Sequence, residues 1–446
     1  ANVDNEKCMA LLRRSRPDAP SHRLRLAVPS EGAGAMAHAA AALIEDLGTA
    51  LDLNGKLKEH RQNPMLRLGL TGVMDHAEKL NSLHNDTARF SNAYRALMEE
   101  LHVVLATARP YNEGDFKRAA LSQLARGLDP AVMSVLKTPE VYLATSGMNA
   151  LMQGLETAKD FSGDDRVALL FSERHGTSPI YYEVGQLMAL NQQKKSSESR
   201  TLLAVLNHST PEANGRNQTS WDVDAVIETT RARISKHLHG ERPYTLVLDT
   251  TVEHRSDLRR LTTALKEDLA QGKLQIVLCK SYQKYANLCS AKVMAGSIAV
   301  LGRDSAKRQH VEERLRETEK SYGWFSNDES QLMTHFLRSG QYEFALLERA
   351  VANANFVRDS CFTGQGDHAA FDGHHRHLPF AMLLMNPSDN DYEFPVLQIR
   401  TAQDNHTLMQ LPLNGGIDNH RVRERDSFGF SETIQVSIED LAGYGG

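Results

Sequence analysis

The 446-residue chain lacks long apolar runs, closely paired cysteines and any block of charge of one sign. No apolar run approaches the roughly 18 residues of a membrane span, and no secretory-type apolar segment stands near residue 1, so a membrane location is not expected. The 51 basic and 56 acidic residues give a net charge of −5 without a basic stripe. Nucleic acid is therefore not an expected partner.

Cysteine is scarce and irregularly spaced. None of the four cysteines, Cys8, Cys279, Cys289 and Cys361, forms a CxxC pair or another zinc-like spacing. Cys279 and Cys289 stand in apolar, strand-like sequence, where free cysteine behaves as a small hydrophobe. We expect reduced cysteines, a cytoplasmic location and no metal site.

Seven short apolar runs predict a large sheet. They are VYLAT (141–145), VALLF (167–171), TLLAVLN (201–207), YTLVLDT (244–250), LQIVLC (274–279), KVMAG (292–296) and SIAVLG (297–302). Polar or helical stretches separate the first five, which is typical of parallel strands covered by helices on both faces. The last two runs are adjacent, which indicates an antiparallel hairpin. The fold class is therefore α/β, with a seven-stranded, mainly parallel sheet.

The flanking regions have different patterns. Residues 33–105 carry apolar residues at helical spacing, and residues beyond 320 alternate helical segments with the strand-like pieces FAMLLMN and VLQIRTA. We predict an N-terminal helical arm (1–105), a large α/β domain (106–320) and a smaller C-terminal α+β domain (321–446).

Polar residues follow several predicted strands, at the edge where open α/β sheets bind ligands. Ser146, Gly147 and Met148 lead into a helix, where backbone N–H groups can bind an anion, although such residues also serve as simple caps. Asp249 ends an apolar strand, so its carboxylate needs a partner or acts as a turn residue.

Two lysines stand at the end of the next apolar run, in the segment KSYQKY (280–285). A lysine in a dry pocket loses proton affinity and can attack a carbonyl, whereas most single lysines extend to solvent. Lys284 and Lys280 both stand near this strand end. His175, after the second strand, could stack on a flat cofactor or be a buried structural histidine.

The order of these features resembles the fold-type I pyridoxal-phosphate (PLP) enzymes, within them the cystathionine synthase and methionine γ-lyase group of Cys/Met metabolism. The family's Ser-Gly-Met turn, its aspartate, and its Ser-x-Thr-Lys-Tyr motif followed by Val-x-Ala-Gly match SGM, Asp249, SYQKY and KVMAG. The resemblance implies PLP as cofactor. Lys284 would carry it by a Schiff base, Asp249 would pair with the ring nitrogen, Ser281 would contact the phosphate, and Lys280 would be a bystander.

Further matches extend the resemblance over about residues 105–430. The segment RPYN supplies Arg109, which in the family reaches the neighbouring subunit's phosphate and implies a homodimer or homotetramer. RDSFG places Arg425 where the family binds the substrate carboxylate, with Arg400 and Arg423 as weaker candidates. Asn214 corresponds to the residue beside the ring oxygen.

The chain also departs from the family pattern. Gln283 replaces the phosphate-binding threonine, and Thr107 replaces one of two pocket tyrosines. The family's other pocket tyrosine, which stacks on the cofactor ring, corresponds to His175, or to Arg174 if the alignment is shifted by one residue. These changes indicate a substrate other than methionine or cystathionine.

The resemblance implies a lyase that performs γ-elimination on an amino acid. The altered pocket suggests chloride loss from a chloro-allylglycine, as in the γ-lyase-like enzymes of bacterial propargylglycine biosynthesis, to give an alkynyl amino acid. PLP-dependent γ-replacement, β-elimination or aminotransfer stays an alternative, as does an inactive PLP-binding relative. A cluster of His368, His374, His375 and His377 is expected to form an exposed or interface loop rather than a metal site.

Overall fold

A computed structural model describes a little under half of the chain in detail. The described ranges are 64–82, parts of 96–107, 113–163, 166–169, 199–206, 208–210, 219–221, 223–237, 242–253, 256–283, 286, 293–321 and 327–339, with four strands between 382 and 437 described by their backbone alone. The helices are α1 Pro64–Ser82, α2 Glu113–Gly127, α3 Pro130–Met133, α4 Gly147–Ser162, α5 Val223–Lys236, α6 Asp257–Ala264, α7 Lys266–Ala270, α8 Ala306–Ser321 and α9 Asn327–Ser339. The strands are β1 Val141–Ala144, β2 Ala168–Leu169, β3 Thr201–Val205, β4 His208–Thr210, β5 Thr219–Trp221, β6 Tyr244–Asp249, β7 Leu274–Ser281, β8 Gly296–Leu301, β9 Met382–Leu384, β10 Val396–Thr401, β11 Val422–Glu424 and β12 Thr433–Ser437.

The central sheet has the order β1-β8-β7-β6-β3-β2. β2, β3, β6 and β7 are mutually parallel, and β8 runs antiparallel between β7 and β1. Since β1 is also antiparallel to β8, it points the same way as the other four strands. The carboxyl ends of β1, β3, β6 and β7 therefore meet at one edge of the sheet, together with the start of β8.

The predicted mixed α/β sheet is present, with six strands in the described residues instead of seven. Six of the apolar runs form β1, β2, β3, β6, β7 and β8, whereas residues 293–295 of KVMAG have no regular secondary structure. The Tyr282 N–H donates to the Ala295 carbonyl at 2.9 Å. This bond closes the β7–β8 pairing. Val293 and Ala295 of KVMAG are buried without forming a strand, which explains the apolar character of the segment.

Both faces of the sheet are covered by helices. On one face, α4 packs apolar residues, including Leu151 and Leu155, against Val247, Val277 and Val300. On the other face, α2 and α6 cover Leu246, Leu278 and their neighbours. The strands are apolar on both sides because neither face contacts water, as expected for buried parallel strands.

Helix α8 carries a buried charge network. Arg308 and Glu312 are 0% and 1% exposed and pair through Nε and Oε1 at 2.8 Å. The Arg308 guanidinium also donates to the carbonyls of Gly302 and Val300 at the end of β8. Lys137 Nζ lies 2.6 Å from the second oxygen of Glu312. The buried Glu312 carboxylate is thus paired with two cations, and the network fixes α8 to the last residues of β8.

The outer edge of β1 is bonded to a side chain of α8. The Leu143 N–H donates to Glu319 Oε1 at 2.7 Å, and Lys117 Nζ of α2 lies 2.6 Å from Glu319 Oε2. One carboxylate therefore joins the edge strand to helices α8 and α2.

Near the C-terminus, β9 to β12 form an antiparallel sheet of order β11-β12-β10-β9. This sheet and α9 agree with the α+β pattern expected beyond residue 320, while the three predicted domain boundaries stay a prediction. None of the helices in the described ranges combines the length and the apolar character that crossing a bilayer requires.

Candidate functional site

Helix α4 begins at the carboxyl edge of the sheet. Ser146 is its N-cap, and the Ser146 hydroxyl accepts the Asn149 N–H at 3.0 Å. The N–H groups of Gly147 and Met148, in the first turn, have no acceptor within the helix because of helix geometry. The first turn carries no acidic residue. These donors and the positive end of the helix dipole favour an anion at this position.

Two glycines allow close approach between α4 and the strand ends. A Cβ at position 147 would overlap the Cβ of Ser281, at the end of β7, and would lie 2.7 Å from its Oγ. A Cβ at position 296 would overlap the Ser146 carbonyl oxygen and lie 3.0 Å from the Gly147 nitrogen. The glycines of the SGM and KVMAG motifs are therefore required by sterics, and they bring the Ser146–Gly147 turn into contact with Ser281.

A short hydrogen-bond chain joins Asp249 to Ser281. The Thr251 N–H donates to Asp249 Oδ1 at 2.8 Å, and the Ser281 N–H donates to Thr251 Oγ1 at 3.1 Å. Asp249 and Thr251 are buried. The Gln283 N–H lies 3.4 Å from Ser281 Oγ, so the residue after the tyrosine of SYQKY turns back toward the same serine.

Asp249 lies on the α4 face of the sheet. It is paired in register with Cys279 of β7, whose Sγ lies 3.4 Å from the Ala150 carbonyl oxygen of α4. Burial raises the pKa of the Cys279 thiol well above its usual value, and the Asp249 carboxylate raises it further. The cysteine beside Asp249 therefore stays a neutral thiol.

Lys280 lies on the opposite face of the sheet. Side chains alternate along a strand, so Lys280 points away from Cys279 and Ser281. It is buried, and its Nζ lies 3.8 Å from Glu253 Oε2. The pair borders a cavity of about 40 Å³. That volume is enough for a few water molecules.

The structure brings together some of the predicted site residues. Gly147 is in contact with Ser281, Ser146 and Met148 are its neighbours in the same turn, and Asp249 is joined to Ser281 through Thr251. Five further candidates lie outside the described residues: Arg109, His175, Asn214, Lys284 and Arg425. Arg400 lies on β10, where its backbone pairs with Thr433. The histidine cluster at 368–377 and Arg174 also lie outside the described residues.

Sequence reasoning did not single out Thr251 or Glu253. Both belong to DTTVE, directly after the predicted strand, and both contact the end of β7. Their position could have indicated this role, because polar residues directly after a buried strand face the end of the neighbouring strand.

We expect Gly147→Ala to lower the free energy of unfolding by about 1–3 kcal/mol, the range for overpacking, because the new methyl group overlaps Ser281. Urea denaturation measures the change. Gly127→Ala in α2 is the matched control: its Cβ would lie 3.4 Å from Leu258 Cδ2, so alanine fits and its helix propensity stabilises by up to about 1 kcal/mol. Equal effects of the two variants would contradict the close approach at Gly147.

No family model and no curated protein matches this sequence. Solved structures with a similar fold include MppP soaked with the product 2-ketoarginine, at 12% identity and a TM-score of 0.45, covering 78% of this chain and 93% of that chain. An aminotransferase from Anaerococcus prevotii has 11% identity and a TM-score of 0.43, covering 74% and 79%. Substrate-bound BacF from Bacillus subtilis has 11% identity and a TM-score of 0.40, covering 74% and 78%. Likeness at this level assigns no activity to this chain.

Proposed function

We propose that this protein is a PLP-dependent enzyme that acts on an amino acid. One observation carries the proposal: an anion-binding helix start, a serine and a buried aspartate converge on one face at the carboxyl edge of the sheet. These groups fit the two polar ends of PLP, an anionic phosphate and a ring nitrogen that is basic enough to hold a proton. The SYQKY and KVMAG motifs supply the same assignment from the sequence.

The phosphate would bind at the start of α4. The Gly147 and Met148 N–H groups and the Ser146 and Ser281 hydroxyls are suitable donors for its oxygens. Because Gln283 replaces the family's threonine, this chain offers one hydroxyl fewer there. Arg109, from a neighbouring copy, is proposed to add the positive charge that the described residues of this site lack.

The Asp249 carboxylate would hold a proton on the ring nitrogen. Its burial and the bond from the Thr251 N–H orient one oxygen, so the carboxylate is fixed before the cofactor binds. PLP, when bound, withdraws electrons from the substrate Cα. We assign Lys284 to hold the cofactor and move the Cα proton, His175 to stack on the ring, Asn214 to lie beside the ring oxygen, and Arg425 or Arg400 to bind the substrate carboxylate.

Within this proposal, the motifs of the Cys/Met group favour γ-elimination, with chloride from a chloro-allylglycine as one candidate leaving group. That reaction removes HCl from the substrate and leaves an alkynyl amino acid, so it needs no oxidant or reductant. Aminotransfer uses the same lysine and aspartate and is the second candidate.

The test is a titration of the purified full chain with PLP, followed by visible absorbance, and then a panel of amino acids that includes chlorinated allylglycines. We expect PLP to give a saturable visible band. One amino acid should change this band, and that substrate should release halide. Transfer of the amino group to a 2-oxo acid would instead establish aminotransfer. A band that no amino acid changes would support the inactive alternative, and the absence of PLP binding would refute the proposal.

A further inference from the structure

The turn after β6 is hydrogen-bonded to the end of β7. Thr250 donates through its N–H and its hydroxyl to the Cys279 carbonyl, at 2.8 and 3.2 Å. Thr251, the next residue, accepts the Ser281 N–H and donates its own N–H to Asp249. Both threonines therefore join the ends of β6 and β7, and Thr251 hydrogen-bonds to Asp249 and Ser281, two of the residues assigned to the cofactor.

We infer that Thr251 is a positioning residue for the cofactor, an inference that rests on the proposed function. Its N–H fixes the carboxylate at the ring-nitrogen end, and its hydroxyl fixes the backbone of Ser281 at the phosphate end. PLP is a rigid molecule with a constant separation between these ends. A single residue that holds both groups, one through its backbone N–H and the other through its hydroxyl, therefore sets the separation that the cofactor must match.

The contacts around Ser281 make the proposed phosphate site sensitive to small shifts of this residue. Gly147 lies against Ser281 with no room for a Cβ, so a shift of Ser281 also displaces the helix start that would bind the phosphate. The Ser281 N–H, without the Thr251 hydroxyl, would lose its acceptor in a partly buried strand end. Loss of one hydroxyl group is thus transmitted to the donors of the anion site.

The matched pair Thr251→Val and Thr250→Val tests this role. Both changes are isosteric, both residues are buried (7% and 4% exposed), and each removes one hydrogen bond to β7. We expect Thr251→Val to weaken PLP binding about tenfold and Thr250→Val by less than about twofold. Thr251→Val should also lose more stability, because it leaves the Ser281 N–H without its acceptor, whereas the Cys279 carbonyl keeps the Thr250 N–H in Thr250→Val. Thr251→Ser, which keeps the hydroxyl, should restore wild-type affinity.

The affinity for PLP is measured from the intensity of the visible band. Circular dichroism of the same band reports how rigidly the cofactor is held, and general destabilisation alone does not change this signal. Equal affinities for the two valine variants would overturn the inference, as would weak binding by Thr251→Ser. The serine and Thr250→Val variants decide the question even if Thr251→Val does not fold: a tenfold loss in either contradicts it. Failure of the wild-type protein to bind PLP would instead refute the proposed function.

Discussion

Lys284→Ala is expected to abolish the visible band that bound PLP gives in the wild-type protein, whereas Lys280→Ala is expected to retain it. The two lysines belong to the same segment, but Lys280 is committed elsewhere. It lies on the opposite face from Ser281 and forms a buried pair with Glu253. Lys284 follows Ser281 by three residues, beyond the end of β7, and matches the family's lysine. Absorbance spectroscopy with added PLP measures both outcomes.

Lys280→Ala also serves as the control for general damage. It leaves Glu253 buried without its lysine, which typically costs about 3–5 kcal/mol, so this variant should be the less stable of the two. Stability and colour are therefore expected to change in opposite variants. Lys284→Ala should be stable but lack the visible band, and Lys280→Ala should be destabilised but retain the band. A coloured Lys284→Ala beside a colourless but folded Lys280→Ala would show that the assignment of the lysines is wrong.

Arg308→Met is expected to lower the free energy of unfolding by about 3–5 kcal/mol. Arg308 and Glu312 are both buried, and removal of the guanidinium leaves a buried carboxylate with Lys137 alone. Two carbonyls at the end of β8 also lose their donors. Urea denaturation of the wild type and the variant measures the difference.

Arg314→Met provides the matched control on the same helix. Arg314 pairs with Asp160 at 2.6 Å, but both side chains are about one third exposed (35% and 36%), so water screens the pair. We expect this variant to lose at most about 1 kcal/mol. The double change Arg308→Met with Glu312→Leu should recover part of the lost stability, since no buried charge is left behind. A loss in Arg308→Met no larger than that in Arg314→Met would refute the role of the buried pair.

The sequence was a good guide to the central sheet because β1, β3, β6, β7 and β8 are buried on both faces. Continuous apolar runs such as LQIVLC have no other common explanation when helices flank them. KVMAG shows the limit of that reasoning: Val293 and Ala295 are buried, yet the segment bends toward Tyr282 and the strand begins only at Gly296. Apolar content reports burial, and only the pairing partner distinguishes a strand from a buried loop.

The site was predictable where backbone geometry imposes a residue type. Gly147 and Gly296 admit no side chain, and Ser146 caps a helix, so these positions are visible as motifs. Thr251 and Glu253 were not predicted, because their roles depend on contacts with a strand about 30 residues further along the chain. Lys280 was interpreted as a bystander to the cofactor, but its ion pair with Glu253 was not predicted. The pair depends on which face of β7 the lysine occupies, and that face can be assigned only when the first residue of the strand is known.

The Glu319 carboxylate on the outer edge of β1 affects how copies of this chain can associate. A strand from another molecule that approached this edge would find the Leu143 N–H already bonded to the Glu319 carboxylate, which also binds Lys117. Unprotected edge strands are the usual starting points for intermolecular sheet growth. On this side a side chain caps the edge strand at Leu143, so the addition of a strand there, from another copy of this chain or in aggregation, is disfavoured.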